Sequence, residues 1–279
     1  MELFIDVIKD TLIDALKLIP FLFIAFLLME LVEHNLSKKM TDKITNTKFG
    51  PIVGSLLGAI PQCGFSVLAS NLYVARIISL GTLISIYLST SDEMLPILIS
   101  SNANIKDILV IVLSKIIIGM ISGIIIDLIY HPKFNKKDYH VCDEEKCDCD
   151  ESIIKSSIIH TFKTLLYIVI ITFALNLLFS YVNEDMIGKL FLKDNIFASF
   201  LSSLVGLIPN CAASVMITEL YLKGVITMGT CIGGLLTGAG VGLLVLFKNN
   251  KNIKENINIM LIIYLIGSII GMLMNVIGV

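Results

Sequence analysis

Two prolines interrupt long charge-free runs at matching positions of the chain, and this feature restricts the fold more than any other. Residues 58–67 read GAIPQCGFSV within the charge-free run 49–75, and residues 206–215 read GLIPNCAASV within the charge-free run 195–218. A proline removes a backbone donor and clashes with the preceding turn, so each helix is expected to break there. Inside a membrane, such a break is tolerated only where the freed backbone faces protein or a water-filled cavity. Paired breaks in two halves of a chain are typical of transporter binding sites.

The composition indicates that these runs lie in a lipid bilayer. Of the 279 residues, 56% are hydrophobic and 16% are charged, the mean hydropathy is +0.88 and the formal net charge is −2. A soluble domain of this length exposes far more polar surface, so the sequence predicts an all-α polytopic membrane protein. Three further charge-free runs, 164–183, 224–247 and 256–279, are each long enough to cross about 30 Å of hydrocarbon.

Several classes of function find no support in the sequence. The chain has no basic patch of the kind that binds nucleic acid. It also has no nucleophile elbow, phosphate-binding loop or HExxH motif, so we expect neither an enzyme nor a nucleotide-driven pump. No cofactor is expected beyond the transported ion itself.

The two halves of the chain are internal repeats. Residues 51–131 align with residues 199–279 without a gap. Two proline kinks beside core cysteines are an alternative interpretation, but the joint repetition of Pro, amide, Cys and Ser favours a site. We therefore divide the chain into a first transmembrane repeat (1–130), a linker (131–151) and a second transmembrane repeat (152–279). The alignment pairs Leu56 with Leu204, Gly58 with Gly206, Pro61 with Pro209, Cys63 with Cys211, Ser66 with Ser214, Tyr73 with Tyr221, Gly81 with Gly229, Gly119 with Gly267 and Gly123 with Gly271.

The charges of the short loops predict that the second repeat is inverted. The connector 38–48 is basic whereas its counterpart 184–194 is slightly acidic, and the loop 100–107 carries one Lys whereas its counterpart 248–255 carries three. Basic short loops stay in the cytoplasm. Both contrasts fit if each repeat has three spanning helices plus a broken, re-entrant helical hairpin, which gives about ten helical segments in all. Each half then crosses the membrane an odd number of times, so the second half has the opposite orientation. A multi-pass protein of the cell membrane then has both termini outside and the linker in the cytoplasm.

Carboxylates and thiols near the breaks are candidates for binding a transported ion. Asp92, Glu93 and Glu219 lie in apolar surroundings, where an ionisable group costs at least about 2.5–3.5 kcal/mol, although Asp92 and Glu93 could simply cap a half-helix. With nearby amides and hydroxyls they would suit a hard divalent ion such as Mn²⁺. Cys63 and Cys211 would instead favour Zn²⁺, Cu(I) or trivalent arsenic, unless they are inert core residues. The predicted pathway consists of Gln62, Cys63, Ser66, Asn71, Asp92, Glu93, Asn210, Cys211, Ser214 and Glu219.

The linker carries a second candidate metal site. Three thiols and one imidazole fall within ten residues, although their spacing is not that of a standard zinc module. In the cytoplasm these thiols stay reduced and able to bind a soft metal. We expect a loop that captures or senses metal, and a solvated acidic linker is the alternative. The four candidate ligands are His140, Cys142, Cys147 and Cys149.

These motifs together resemble a known family. The Pro-x-Cys segments at 61–63 and 209–211, the Ser-Thr-Ser-Asp-Glu run at 89–93 and the His/Cys linker are similar to those of the ten-helix heavy-metal exporters. Some members of that family carry the names arsenic efflux protein or manganese transporter, and arsenical permeases are more distantly similar. The resemblance covers essentially the whole chain and implies a metal or metalloid exporter with five helices per half. Arsenical permeases have a Cys-rich stretch near the corresponding break, whereas here only Cys63 stands there.

The sequence therefore predicts a secondary-type transporter that exports a heavy-metal ion or metalloid from the cytoplasm. An ion gradient or a partner would supply the energy, since no nucleotide site is present. Two other functions stay open: a permease for a small anion or organic solute, with half-helix N-termini facing the negative charge, and a membrane metal sensor. Assembly into a homo-oligomer also stays open.

Overall fold

In the part of the chain that it describes, the computed structural model consists of helices joined by short turns. That part comprises residues 8–9, 11–13, 15–16, 19–20, 22–24, 26–27, 49–61, 63–91, 94–130, 153–180 and 197–278. Four stretches are long and apolar enough to cross a membrane, namely Ile105–Ile129, Ser157–Leu177, Met228–Asn249 and Ile253–Ile277. The prediction of an all-α polytopic membrane protein is confirmed. Besides helical residues between 8 and 27, the described helices are α1 (Gly50–Gly58), α2 (Cys63–Val74), α3 (Leu80–Ser89), α4 (Met94–Ser100), α5 (Ile105–Ile129), α6 (Ile153–Ser180), α7 (Ala198–Gly206), α8 (Cys211–Leu222), α9 (Met228–Thr237), α10 (Val241–Asn249) and α11 (Ile253–Ile277).

The helix bounds repeat along the chain. α1, α2, α3 and α5 begin and end 148 residues before α7, α8, α9 and α11, as the starts of α1 and α7 at residues 50 and 198 illustrate. The caps repeat as well, because the hydroxyl of Ser79 at the start of α3 and that of Thr227 at the start of α9 each accept a bond from a backbone amide three residues later. The duplication in the sequence thus extends to the local structure.

α1 and α2 form a hairpin of two half-helices. α1 lies parallel to α3, because a Cβ added to Gly50 would clash with Thr82 near the start of α3, and one added to Gly58 would clash with Ser89 at its end. α2 ends a short turn before α3 begins, so α2 must return to the face from which α1 started. α7 lies along α9 in the same way and forms the second hairpin with α8. Each proline break therefore lies at the tip of a hairpin, where Pro61 is exposed and Pro209 is partly exposed.

α3 and α4 together form a broken helix that runs from one face of the bundle to the other. α5 is antiparallel to α3, since Asp127 near the end of α5 accepts a bond from the Gly81 amide at 2.8 Å, whereas Lys115 in its middle donates to the Thr90 carbonyl just after α3. The first turns of α5 therefore lie on the far side, and α4 bridges that distance. α9, α10 and α11 have the same arrangement, because Asn275 near the end of α11 accepts a hydrogen bond from Thr227 at the start of α9.

The two broken helices run in opposite directions between the faces. α2 and α10 lie side by side and point the same way: Ser70 Oγ lies 2.8 Å from the Gly242 carbonyl oxygen at the start of α10, and Arg76 after α2 pairs with Glu255 after α10. α10 therefore ends at the face where α2 ends, which we call the Arg76 face. α4 ends at the opposite face, where α8 also ends, and we call it the Lys223 face.

α3 and α9 form the buried centre of the molecule. Every residue from 81 to 91 and from 229 to 246 is buried. Small residues let the neighbouring helices approach closely, because a Cβ added to Gly123 of α5 would lie only 2.5 Å from the carbonyl oxygen of Gly81. The outward sides of α5 and α11 are apolar and exposed, for example at Ile121, as expected for helices in contact with lipid. Close packing thus holds both helix breaks at the centre.

Candidate functional site

The break between α9 and α10 lies in the buried centre. α9 ends at Thr237 and α10 begins at Val241, and the three linking residues 238–240 are buried. Gly240 has φ 55° and ψ −144°, a conformation that residues with a Cβ rarely adopt. Because the last carbonyls of a helix have no partners within that helix, the break brings polar backbone groups into the core. Hydroxyl, amide and ammonium donors from other residues bind several of these carbonyls.

Serines from both hairpins contact this break. Ser66 of α2 packs against Gly242, where an added Cβ would lie 2.7 Å from the Ser66 Cβ. Ser214 of α8 packs against Gly238, where an added Cβ would lie 3.2 Å from the Ser214 Oγ. Both serines belong to the predicted pathway, and the structure brings them to the two ends of one break. Each repeat thus contributes a hairpin to the same region.

A buried network of oxygen atoms continues from Ser66. Ser70 Oγ lies 2.6 Å from both the Ser66 carbonyl oxygen and the Tyr87 hydroxyl, and 2.8 Å from the Gly242 carbonyl oxygen. In the second repeat, Thr218 Oγ1 donates at 2.7 Å to the carbonyl four residues earlier, as Ser70 does. Sequence reasoning did not place Ser70 or Tyr87 in the site, because they become neighbours only where α2 packs on α3 and α10.

Asn71 and Glu219 occupy equivalent positions of the two repeats but have different surroundings. Asn71 is fully buried and its Oδ1 accepts a bond from Asn249 at 2.8 Å, whereas its Nδ2 has no hydrogen-bond partner among the residues that the structure describes. Glu219 lies in the last turn of α8, where its 38% exposed side chain pairs with Lys223 at 3.3 Å. At about 1.5 Å per residue, roughly 12 Å of helix separate Glu219 from Cys211 at the hairpin tip. The described contacts therefore place Asn71 in the core and Glu219 at the Lys223 face.

Asn210 and Cys211 begin α8 at the tip of the second hairpin. Asn210 Oδ1 accepts a bond from the Ala212 amide at 3.3 Å and caps the helix, and its Nδ2 donates to Asn176 of α6 at 2.7 Å. Asn176 donates in turn to Thr11 at 3.1 Å. Cys211 carries a partly exposed thiol beside this chain of bonds. Asn210 thus joins the hairpin tip to α6 and to the helical residues near the N-terminus.

The remaining predicted ligands lie outside the described residues. They are Gln62, Asp92, Glu93, His140, Cys142, Cys147, Cys149 and the side chain of Cys63. Their roles stay predictions. Among the side chains that the structure does describe, no three His, Cys, Asp or Glu come together as a metal site would require. In the described part of the break region, hydroxyl and carbonyl oxygens are the atoms that could bind a metal ion.

Lys115 is a buried cation beside the break that sequence reasoning missed. It lies in the middle of α5, is 1% exposed, and donates to the carbonyl oxygens of Thr90 and, at 3.0 Å, of Leu235. Thr90 directly follows α3 and Leu235 lies in the last turn of α9. The C-terminal ends of α3 and α9, the first halves of the two broken helices, therefore meet at the ammonium group of Lys115. The rule that singled out Asp92 and Glu93, an ionisable group inside an apolar segment, applies equally to Lys115 and could have found it.

An ion pair joins the two repeats at the Arg76 face. Both terminal nitrogens of Arg76 donate to the carboxylate of Glu255, at 2.7 and 3.0 Å, and the Tyr73 hydroxyl donates to the same carboxylate. The bond to Glu255 raises the pKa of the Arg76 guanidinium, which stays charged. Arg76 has φ 58°, and its equivalent in the second repeat is Gly224 with φ 68°. The second repeat therefore keeps the turn but lacks the guanidinium.

Comparison with known protein families identifies a match to the first two thirds of the chain. A family model described as "Putative, 10TM heavy-metal exporter" matches residues 1–195, which is more than half of the chain. The match includes the first hairpin, the helices α3 to α6 and the linker. No curated protein and no solved structure matches the chain. The family resemblance expected from the sequence is confirmed.

Proposed function

We propose that this chain, which belongs to the ten-helix heavy-metal exporter family, exports a divalent metal cation from the cytoplasm by alternating access. Family membership identifies a multi-pass membrane transporter for heavy metals and points away from an enzyme. The nature of the ion, the site and the mechanism are the proposal. The observation that carries it is the meeting of Ser66 and Ser214, one from each hairpin, at the buried break between α9 and α10.

The directions of the helices support an inverted repeat. α4 and α10 occupy equivalent positions, yet α10 ends beside Arg76 and α4 ends at the opposite face. α6, the first helix of the second repeat, has 28 residues and can cross the membrane from the linker to the opposite side, since it is roughly 42 Å long at 1.5 Å per residue. Inverted repeats that meet at mid-depth can expose one site alternately to the two sides by rocking against each other.

Loop charges support a cytoplasmic location for the Arg76 face. The basic connector 38–48 precedes α1, and the basic segment 248–254 spans the end of α10, the turn and the start of α11. Both α1 and α11 begin at this face. The linker 131–151 follows α5, which ends there too. The slightly acidic segment 184–194 precedes α7, which begins at the Lys223 face. Basic short loops stay in the cytoplasm, so we propose that the linker is cytoplasmic and that both termini are outside.

The chemistry of the break region favours a hard cation. Hydroxyl and main-chain oxygens surround it, among them those of Ser70, Tyr87 and Gly242. Oxygen ligands suit Mn²⁺ and similar divalent ions, whereas Zn²⁺, Cu(I) and arsenite favour thiolates. We therefore propose a Mn²⁺-like substrate, with Asp92 and Glu93, which follow the described end of α3, as further oxygen ligands. In the linker, His140 and the three cysteines would capture or sense a soft metal such as Zn²⁺, apart from the hard-ion site.

A transport panel tests this proposal. The protein is reconstituted in lipid vesicles, and movement of Mn²⁺, Zn²⁺, Cu⁺ and arsenite is measured against vesicles without protein. We expect Mn²⁺ to be moved at the highest rate, and cells lacking the protein to accumulate Mn²⁺. Movement of none of the four species by folded protein would contradict the proposed function, and preference for arsenite or Cu⁺ would contradict the hard site.

Two sets of substitutions separate oxygen ligands from thiols. Asp92→Asn and Glu93→Gln form the carboxylate set, which keeps shape and removes charge, whereas Cys63→Ser and Cys211→Ser remove thiols and keep small polar groups. Glu219→Gln is measured separately, because Glu219 lies at the Lys223 face. For a Mn²⁺-like ion, the carboxylate set should abolish export and the serine pair should leave much of it. Wild-type rates in folded variants of both sets would show that the substrate site lies elsewhere.

A matched control accompanies a test of the hairpin serines. Ser66→Ala and Ser214→Ala each remove a hydroxyl beside the break, and we expect each to lower the Mn²⁺ export rate. Ser268→Ala removes a fully buried hydroxyl of α11 that has no hydrogen-bond partner within the described part of the chain. This control should export at the wild-type rate. Equal effects of all three substitutions would contradict a site at the hairpins.

A further inference from the structure

The ammonium group of Lys115 occupies a position that is built for a cation. It is 1% exposed and donates to the carbonyl oxygens of Thr90 and Leu235, which belong to different repeats. α3 ends at Ser89, just before Thr90, and α9 ends at Thr237, so both acceptors lie at helix C-termini. The carboxyl end of a helix carries a partial negative charge, because its last carbonyls have no partners within the helix. Two such ends therefore converge on a single positive charge.

The Leu235 carbonyl oxygen, in the last turn of α9, accepts its hydrogen bond from a donor outside its own helix. The neighbouring carbonyl oxygens are bound locally, since Gly234 O accepts from the Thr237 hydroxyl at 2.8 Å and Thr237 O accepts from the Ala239 amide at 2.9 Å. Leu235 O instead accepts from Lys115, which lies 120 residues away in the chain. A bare carbonyl in a dry core is costly, so this oxygen needs a cation or a donor in every state.

The fold does not need a lysine at this position. The equivalent residue of the second repeat is Ile263, which is fully buried in α11, and α11 has the same length and packs on α9 as α5 packs on α3. A buried ammonium group is expensive in a membrane protein, where ionisable residues usually mark ion pathways. A helix of the same shape is thus obtained with an apolar side chain, and the charge of Lys115 calls for another role.

We infer that Lys115 is a tethered competitor of the transported cation: its ammonium group and the metal ion bind the carbonyl ends of α3 and α9 in alternation. When the metal is absent, the ammonium satisfies these oxygens. When the metal arrives, the long side chain withdraws, and its return helps to expel the ion on the opposite side. This inference rests on the proposed function, because it assigns a residue to the release of the same cation.

Neutral substitutions of Lys115 test the inference through the split between KM and maximal rate. In vesicles containing Lys115→Met or Lys115→Gln protein, the KM for Mn²⁺ should fall about tenfold or more, because a tethered positive charge no longer competes with the ion for the carbonyl oxygens. The maximal rate should fall as well, because release loses its competitor. Lys115→Gln keeps amide donors for the carbonyl oxygens and guards against misfolding. Lys115→Arg keeps the charge and should retain a KM near the wild-type value.

A matched control and a second measurement keep the outcomes distinct. Lys106→Met removes an exposed lysine from the same helix and should leave KM and rate unchanged. On wild-type protein with ¹³C-labelled lysine, Mn²⁺ should broaden the Lys115 signal, identified by its absence from Lys115→Arg, before it broadens other lysine signals. Because it uses wild-type protein, this measurement tests the inference even if the neutral variants do not fold.

The possible results separate the inference from the proposed function. An unchanged or raised KM in a folded neutral variant, or an unaffected Lys115 signal at saturating Mn²⁺, overturns the inference while metal transport by the wild type still supports the function. Lost binding in both neutral variants would indicate that Lys115 attracts an anion, and it also overturns the inference. A wild-type protein that moves none of the metals overturns the proposed function, and the inference falls with it.

Discussion

Replacing Arg76 by alanine removes a contact between the two repeats at the face that we propose to be cytoplasmic. The guanidinium of Arg76 binds both carboxylate oxygens of Glu255 and so joins the end of α2 to the start of α11. In the proposed alternating-access mechanism this face must open, and we expect the ion pair to stabilise its closed state. Alanine is preferable to glycine, because Arg76 has φ 58° and glycine would also relieve the backbone strain.

The size of the effect follows from the geometry and exposure of the pair. The side chains of Arg76 and Glu255 are 43% and 22% exposed, so water screens the pair in part. Exposed pairs contribute about 0–1 kcal/mol, whereas hydrogen bonds to charged groups contribute about 1.5–3 kcal/mol. A two-pronged, half-exposed pair should therefore stabilise the closed face by about 1–2 kcal/mol. The open population of Arg76→Ala should rise by a factor of roughly 5–30.

Amide hydrogen exchange measures this opening without a label. Peptides that cover residues 72–80 and 250–257 should exchange about 5–30 times faster in Arg76→Ala than in wild type, because exchange there reports the opening equilibrium. Lys223→Ala is the matched control, since it removes the ion pair of Lys223 with Glu219, four residues earlier at the Lys223 face. This control should leave the amide exchange rates of both peptides at their wild-type values.

A double-mutant cycle assigns the effect to the pair itself. Glu255→Gln alone should speed exchange of the same peptides, and its combination with Arg76→Ala should add little, because residues in direct contact are not additive. High salt should reduce the difference between wild type and Arg76→Ala. Equal exchange in Arg76→Ala and wild type, or full additivity in the cycle, would refute the role of this pair in closing the face.

Three further predictions concern topology, the linker and packing. A cysteine in place of Lys43 should be labelled from the cytoplasm and one in place of Lys189 from outside, and labelling from the same side would contradict the inverted repeat. Replacing the three linker cysteines by serine should raise the KM for Zn²⁺ and leave the maximal rate nearly unchanged, whereas complete loss of transport by folded protein would move the site into the linker. Gly242→Ala should lower the free energy of unfolding by about 1–3 kcal/mol, because its Cβ would lie 2.7 Å from that of Ser66. Thermal unfolding checks this against Gly238→Ala, which meets Ser214 Oγ only at 3.2 Å, and equal melting temperatures would contradict it.

The hairpins could be predicted because their causes are local or repeated. A proline within a charge-free run breaks its helix whatever surrounds it, and Pro61 and Pro209 each lie between two half-helices in the structure. Loop charges then distinguished a hairpin from a single crossing, and α2 does return to the face where α1 began. These arguments needed no knowledge of which residues touch.

The contacts of the candidate site could not be predicted, because they join distant parts of the chain. Ser70 meets Gly242 across 172 residues, and Lys115 meets Leu235 across 120. Glu219 was expected to face the other carboxylates, yet its helix carries it to the Lys223 face, and only the full path of α8 determines that distance. The convergence of the carboxylates therefore stays a prediction, since Asp92 and Glu93 lie outside the described residues.

Differences between the repeats indicate function more directly than their similarities. Pairs such as Ser79 and Thr227 cap the same helix in both halves, and a duplicated scaffold keeps them for folding. The position equivalent to Lys115 in the second repeat is Ile263, and the position equivalent to Arg76 is Gly224. The equivalent helices of the two halves nevertheless begin and end at matching positions. The scaffold thus forms without a buried ammonium group and without an arginine at positive φ, both of which cost free energy. We propose that ion release, for Lys115, and closure of the Arg76 face, for Arg76, are the advantages that offset this cost.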